Sequence, residues 1–312
     1  MKTAFIFPGQ GSQSVGMLRE LFDDYIVARN VFHTADTALD MPLLNMIMYG
    51  PEESLQLTCN TQPALLASSI ASAAVLRQHG IQADVVAGHS LGEYSALVYA
   101  GAVSFEDALI GVRYRGTFMQ EAVPVGQGAM AAIIGADVSG VVDICTLITE
   151  KVDTVEAVNF NCPKQVVIAG KSEAVNAVIK EVKQQKIGKA VLLPVSAPFH
   201  SRLMEPAAER LKTVLKNTEF RDARIPLYSN VTAKPVTKAV TIKRMLVKQA
   251  ASPVLWEQAV RNMIKDGVDT FVEVGPGHTL SNFVKKIDDS VQVLQAGDRE
   301  GLQNTLKVLK GA

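Results

Sequence analysis

Gly88-His89-Ser90-Leu91-Gly92 sets a serine midway between two glycines, the spacing of a nucleophile elbow, where a strained turn lifts the hydroxyl clear of a strand end. Asp84 to Ala87 reads as a buried strand feeding this turn, and Glu93 to Ala100 as the helix that leaves it. Such a helix aims its first amides and the positive end of its dipole at the place where a tetrahedral oxyanion would form. With 22 glycines in 312 residues, the pentapeptide alone arises by chance roughly 0.08 times per chain. The strand-turn-helix setting therefore carries the weight, and a purely structural glycine turn is the alternative.

A serine hydroxyl is a poor nucleophile without a base, and histidine is the usual partner. Of the five histidines, His89 adjoins Ser90 and projects away from it, His33 and His79 lie on helix-like segments, and His278 follows the turn Gly275-Pro276-Gly277. His200 follows the strand Ala190 to Val195 in the loop Ser196-Ala197-Pro198-Phe199-His200-Ser201, where a side chain can be aimed without being buried. An exposed loop histidine of no consequence is the competing reading. No aspartate stands in an obvious strand-end loop between Ser90 and His200, so a main-chain carbonyl orienting the imidazole, and hence a Ser-His dyad, is expected over a triad.

One arginine falls on an unusual face. Ser104 caps a helix with Asp107 three residues on, and Phe105, Ala108, Val112 and Met119 then form an apolar stripe at steps of three and four. Arg115 lies in that stripe, whereas Arg113 is expected on the opposite, wet side. An inward guanidinium keeps its charge and needs an anion. Either an internal pair, for instance with Glu93, or a clamp for a substrate carboxylate would serve.

The elements that must position these groups alternate strand and helix from end to end, the pattern of an α/β fold with a parallel sheet covered by helices. Gln62 to His79 reads as a helix stopped by Gly80. From Gly128 the order becomes strand, helix, strand, strand, helix, strand (129–134, 137–151, 155–159, 165–169, 173–185, 190–194), the ferredoxin-like arrangement. It is taken as a small inserted domain, residues 128–196, within a large lobe made of 1–127 and 197–312.

Composition narrows the function further. Thirty-one basic residues balance 31 acidic ones and 48% of the chain is hydrophobic, so a sizeable core is expected and neither nucleic acid nor an anionic membrane is a natural partner. Cys59, Cys145 and Cys162 are far apart, without disulfide or zinc spacing. No run approaches a membrane span and no signal peptide is evident. A cytoplasmic protein without metal or bound cofactor is expected.

The chain closely resembles the malonyl-CoA:acyl-carrier-protein transacylase family. The matching stretches span nearly its whole length: Phe7-Pro8-Gly9-Gln10-Gly11-Ser12-Gln13, Thr61-Gln62-Pro63-Ala64, Gly88 to Ala96, Arg115-Gly116 with Met119-Gln120, Gly128 to Ala132, Asn159-Phe160-Asn161, Gln165 to Gly170, Phe199-His200-Ser201, Pro253-Val254 with Trp256, and Glu273 to Gly277. The resemblance implies an α/β-hydrolase-like large lobe and a ping-pong reaction. In it, Ser90 takes malonyl from malonyl-CoA and hands it to the phosphopantetheine thiol of an acyl carrier protein, with His200 as base and then acid. It further implies an oxyanion hole from the amides of Gln10 and Leu91, a malonyl-carboxylate clamp at Arg115, substrate contacts from Phe199 and Asn161, and the Gln249 carbonyl orienting His200. Phe199 looks like the bulky residue that crowds an α-methyl branch in malonyl-selective acyltransferases. A monomer is the usual state in this family. Lys164 departs from the glycine common at its position, leaving turn geometry open. Lys180, Lys183, Lys186 and Lys189 either meet an acidic carrier protein or form an ordinary solvated face. A serine thioesterase or lipase-like hydrolase is the competing enzyme, and a scaffold with a fossil site the competing non-enzyme.

Overall fold

A computed structural model describes residues 1–195 and 197–310 of the chain. Among them ten strands, β1 (Thr3–Phe7), β2 (Val85–Gly88), β3 (Gly128–Ile134), β4 (Val155–Cys162), β5 (Gln165–Lys171), β6 (Lys189–Leu192), β7 (Leu227–Tyr228), β8 (Pro235–Val236), β9 (Thr270–Glu273) and β10 (Gln292–Gln295), divide into two sheets. The first runs β10-β9-β1-β2-β7-β8 and is parallel except for β8. Every residue of β1 and β2 is buried, as expected of parallel strands covered by helices on both faces. Alternation splits β1 between two cores: Phe5 and Phe7 point into one, with Leu65 and Leu97, while Ala4 and Ile6 point into the other, with Trp256 and Phe271.

Parallel registry brings the carboxyl ends of the central strands to one edge, Phe7 beside Gly88 and Ile6 beside Glu273. Loops leaving that edge carry Gln10, Ser90 and Asn230, the crevice position at which open α/β sheets hold ligands.

The second sheet is antiparallel, ordered β4-β5-β3-β6, with helices Val138–Lys151 and Ser172–Gln185 packed on one face. This is the ferredoxin-like order, and with the parallel sheet it makes the fold the expected α/β architecture. Alternation works here too. Ala131 and Ile133 face the two helices, whereas Met130 and Ala132 face the core that holds Phe5 and Phe7. Ser196, taken as the end of the inserted segment, lies outside the described residues.

The helix expected over 62–79 begins four residues earlier, as Thr58–Gln78, with Pro63 inside it. Proline lacks the amide that would bond to the Cys59 carbonyl, and Arg113 supplies the missing donor, its Nη1 2.9 Å from that oxygen. Arg113 is thus half-buried and bonded, not on a wet face as expected. The helix stops where Gly80 takes φ 75°.

Candidate active site

The elbow glycines are required sterically. A Cβ on Gly88 would lie 1.9 Å from the Gly92 carbonyl group, and one on Gly92 would lie 2.0 Å from the Phe7 oxygen. Between them Ser90 adopts φ 53°, a left-handed conformation costly for a residue with a side chain. Asn230 braces the turn from β7's carboxyl end. Its Oδ1 accepts the Ser90 amide at 2.8 Å and its Nδ2 donates to the Gly88 carbonyl at 2.7 Å.

Ser90 Oγ lies 2.7 Å from His200 Nε2, and His200 Nδ1 lies 2.8 Å from the main-chain oxygen of Gln249. Bonding of Nδ1–H to a carbonyl leaves the Nε2 lone pair toward the serine. His200 was expected in an open loop, but it is only 3% exposed. Its loop is pinned at both sides, with Pro198 packed on Gly128 at the start of β3 and Phe199 buried in the main core. Burial, reinforced by the positive charge of Arg115, holds His200 down to about 3. The imidazole is therefore neutral near pH 7, as a general base must be.

The helix Phe105–Glu121 turns Arg115 inward with Ala108, Val112 and Met119. Its Nη1 donates to Gln62 Oε1 at 2.8 Å, and its Nη2 donates to Ser90 Oγ at 3.1 Å and to Gln249 Oε1 at 3.0 Å. Nε is buried without an acceptor. Among the described residues no ion pair joins Arg115 to a carboxylate. The pair with Glu93 considered from sequence is not formed. Glu93 Oε2 instead accepts from Gln249 Nε2 at 2.7 Å and from the Asn230 amide at 3.3 Å, and burial pushes its carboxyl up to about 7.

These groups line a cavity between the two sheets. Its polar wall includes Gln10, Gln62, His89, Ser90, Arg115, Asn159 and His200, and its apolar wall includes Leu91, Met119, Met130, Leu193 and Phe199. The Ser90 amide is taken by Asn230 and the Gly92 amide by the His89 carbonyl, so Leu91 supplies the amide at this turn that a developing oxyanion could use. A serine hydroxyl, a neutral imidazole and a buried guanidinium with no carboxylate partner thus share one small chamber.

The sequence from residue 4 to residue 300 matches the acyl transferase domain model. The chain belongs to the acyl transferase domain family. Among its relatives, the malonyl CoA-acyl carrier protein transacylase of Bacillus subtilis (strain 168) is 46% identical over 309 residues, 99% of this chain and 98% of that protein. The acyl-carrier-protein S-malonyltransferase of Burkholderia pseudomallei 1710b superposes with TM-score 0.95 at 44% identity, over 98% of this chain and 100% of that one. A structure of a type II PKS acyl-carrier protein in complex with its malonyl-transacylase matches with TM-score 0.96 at 40% identity, over 99% of this chain and 100% of that one.

In this acyl transferase domain Asn161 stands apart from the cavity. Its Oδ1 lies 2.8 Å from His89 Nε2, and the His89 ring packs beside Trp256, centroids 5.7 Å apart. Bulges in β4 on either side of Asn159 and Phe160 shift the register there, and Asn159 lines the cavity instead. Asn230 had no motif to mark it, since its role depends on where β7 ends beside β2. Gln62 sat in a recognised stretch without a role. Lys164 takes φ 61° in the tight turn between β4 and β5, and Lys180, Lys183, Lys186 and Lys189 are all exposed. Among the described residues no group of three or more His, Cys, Asp or Glu is placed to hold a metal ion, and no helix is long and apolar enough to cross a membrane.

Proposed function

We propose that this chain transfers a malonyl group from malonyl-CoA to the phosphopantetheine thiol of an acyl carrier protein through an ester on Ser90. Ser90 Oγ attacks the thioester carbonyl while His200 Nε2 takes its proton. The oxyanion rests on the amides of Gln10 and Leu91. Collapse breaks the carbon-sulfur bond, and the coenzyme A thiolate leaves with the proton from His200. The carrier thiol then gives a proton to His200, attacks the ester carbonyl, and Ser90 recovers its proton. Gln249 orients the base through its carbonyl. Phe199 walls the acyl pocket, and Asn161 acts on substrate only indirectly, through His89.

The observation that carries this reading is Arg115. A guanidinium 1% exposed, held by neutral partners and 3.1 Å from the nucleophile, has use for a carboxylate on the acyl group, which hydrolases of neutral acyl chains lack. The names of the relatives point the same way. Residues 128–196 are read as an inserted domain covering the site of a lobe formed by 1–127 and 197–312. The protein is read as a cytoplasmic monomer with no cofactor of its own and no nucleic-acid or membrane partner. The exposed lysines from Lys180 to Lys189 are a candidate face for the carrier.

Incubation with radiolabelled malonyl-CoA, with and without a carrier protein, tests the proposal. Label should pass to the carrier. Rapid release of free malonate with no carrier loading would establish a hydrolase instead.

A further inference from the structure

Resting on that reading, we propose that Glu93 and the Gln249 side chain together determine acyl-group selectivity, by keeping an amide between Arg115 and the buried carboxyl of Glu93. Arg115 and Glu93 are each 1% exposed, and both bond to this one amide, Nη2 to Oε1 at 3.0 Å and Oε2 to Nε2 at 2.7 Å. In a low-dielectric interior a guanidinium and a carboxylate bonded to one amide would, without it, be drawn into a direct pair. The amide offers its oxygen to the guanidinium and its nitrogen to the Glu93 carboxyl, satisfying both while keeping them from a direct ion pair. Its orientation is set by Nε2 also donating to the Ser90 carbonyl at 2.8 Å, because a flipped amide would put two donors face to face at Arg115.

The positive charge therefore stays available in the cavity. A donor bearing a carboxylate meets it, and a neutral acyl group leaves it unpaired. Since His200 is held by the main chain of residue 249, the side chain there can change while the base keeps its support.

The test is the ratio of malonyl to acetyl loading rates, read by time-resolved intact-protein mass spectrometry with malonyl-CoA and acetyl-CoA. Gln249→Met removes the spacer and lets Glu93 capture Arg115, so the ratio should fall at least about tenfold. The double variant Glu93→Gln/Gln249→Met, lacking the capturing carboxylate, should return the ratio to within a few-fold of wild type, a rescue that a merely structural role would not produce. Gln249→Glu, which sets a carboxylate directly on Arg115, should lower the ratio as well and decides the matter if Gln249→Met fails to fold. An unchanged ratio in Gln249→Met or Gln249→Glu, or a double variant no better than Gln249→Met, overturns the proposal. Wild-type protein that loads no malonyl at all would instead overturn the transferase reading.

Discussion

Ser90 and His200, 110 residues apart in the chain, meet at 2.7 Å, and both hold left-handed backbone, φ 53° and φ 66°. Neither is glycine, so each conformation costs of order 1–3 kcal/mol and persists because its surroundings impose it. Asn230 imposes the first and the packed loop 197–201 the second. The strain aims two side chains at one point, a geometry that relaxed backbone at either site would lose.

Replacing Ser90 by Ala should abolish the acyl adduct seen by mass spectrometry with malonyl-CoA. His200→Ala should still acquire it, at a rate roughly 10²–10⁴-fold lower. Adduct on Ser90→Ala at the wild-type rate would place the nucleophile elsewhere.

Arg115→Ala should weaken malonyl transfer far more than acetyl transfer. The lost charge-assisted contact is worth about 1.5–3 kcal/mol, or roughly 10–150-fold in kcat/KM for malonyl-CoA. Equal losses with both donors would mean that the guanidinium only supports the site's packing.

Phe199 lines the cavity beside His200. Phe199→Ala should raise methylmalonyl-CoA use relative to malonyl-CoA, by at most the ~1–3 kcal/mol that a methyl group is worth in a pocket. Competition between the two donors reads this directly, and no shift in preference would show that the branch is accommodated elsewhere.

The buried carboxyl of Glu93 leaves a signature in stability. Its folded value of about 7 exceeds the ordinary 4.5, so between these values the native protein holds a proton that the unfolded chain has released, and stability falls as pH rises. His200 works oppositely, because its folded value of about 3 lies below the ordinary 6.5. The unfolded chain binds the extra proton there, and stability rises with pH. Glu93→Gln removes only the first contribution. The unfolding free energy of the variant relative to wild type should therefore climb by up to ~3 kcal/mol from about pH 4.5 to about pH 7, measured by urea denaturation. A difference flat with pH would show that Glu93 does not titrate in this range.

Much of the site is legible in the sequence alone. The elbow spacing of Gly88, Ser90 and Gly92 reflects a steric requirement, since no Cβ fits at either glycine. The three- and four-residue steps from Ala108 to Met119 placed Arg115 on the buried side because helix periodicity is local. The same periodicity misjudged Arg113, whose environment depends on the carbonyl that Pro63 leaves open on another helix. It likewise could not show that the His200 loop is packed under a second sheet.

Periodicity, turn chemistry and capping act over a few residues, and from them the sequence by itself determined the α/β order, the ferredoxin-like strand order, the elbow and the inward arginine. Which groups those side chains meet was decided only by the tertiary structure. Ser90 bonds partners 110, 140 and 159 residues away, and an amide, not Glu93, bonds the Arg115 guanidinium. Such pairings depend on how two sheets pack across a cleft, and short-range regularities carry no record of that.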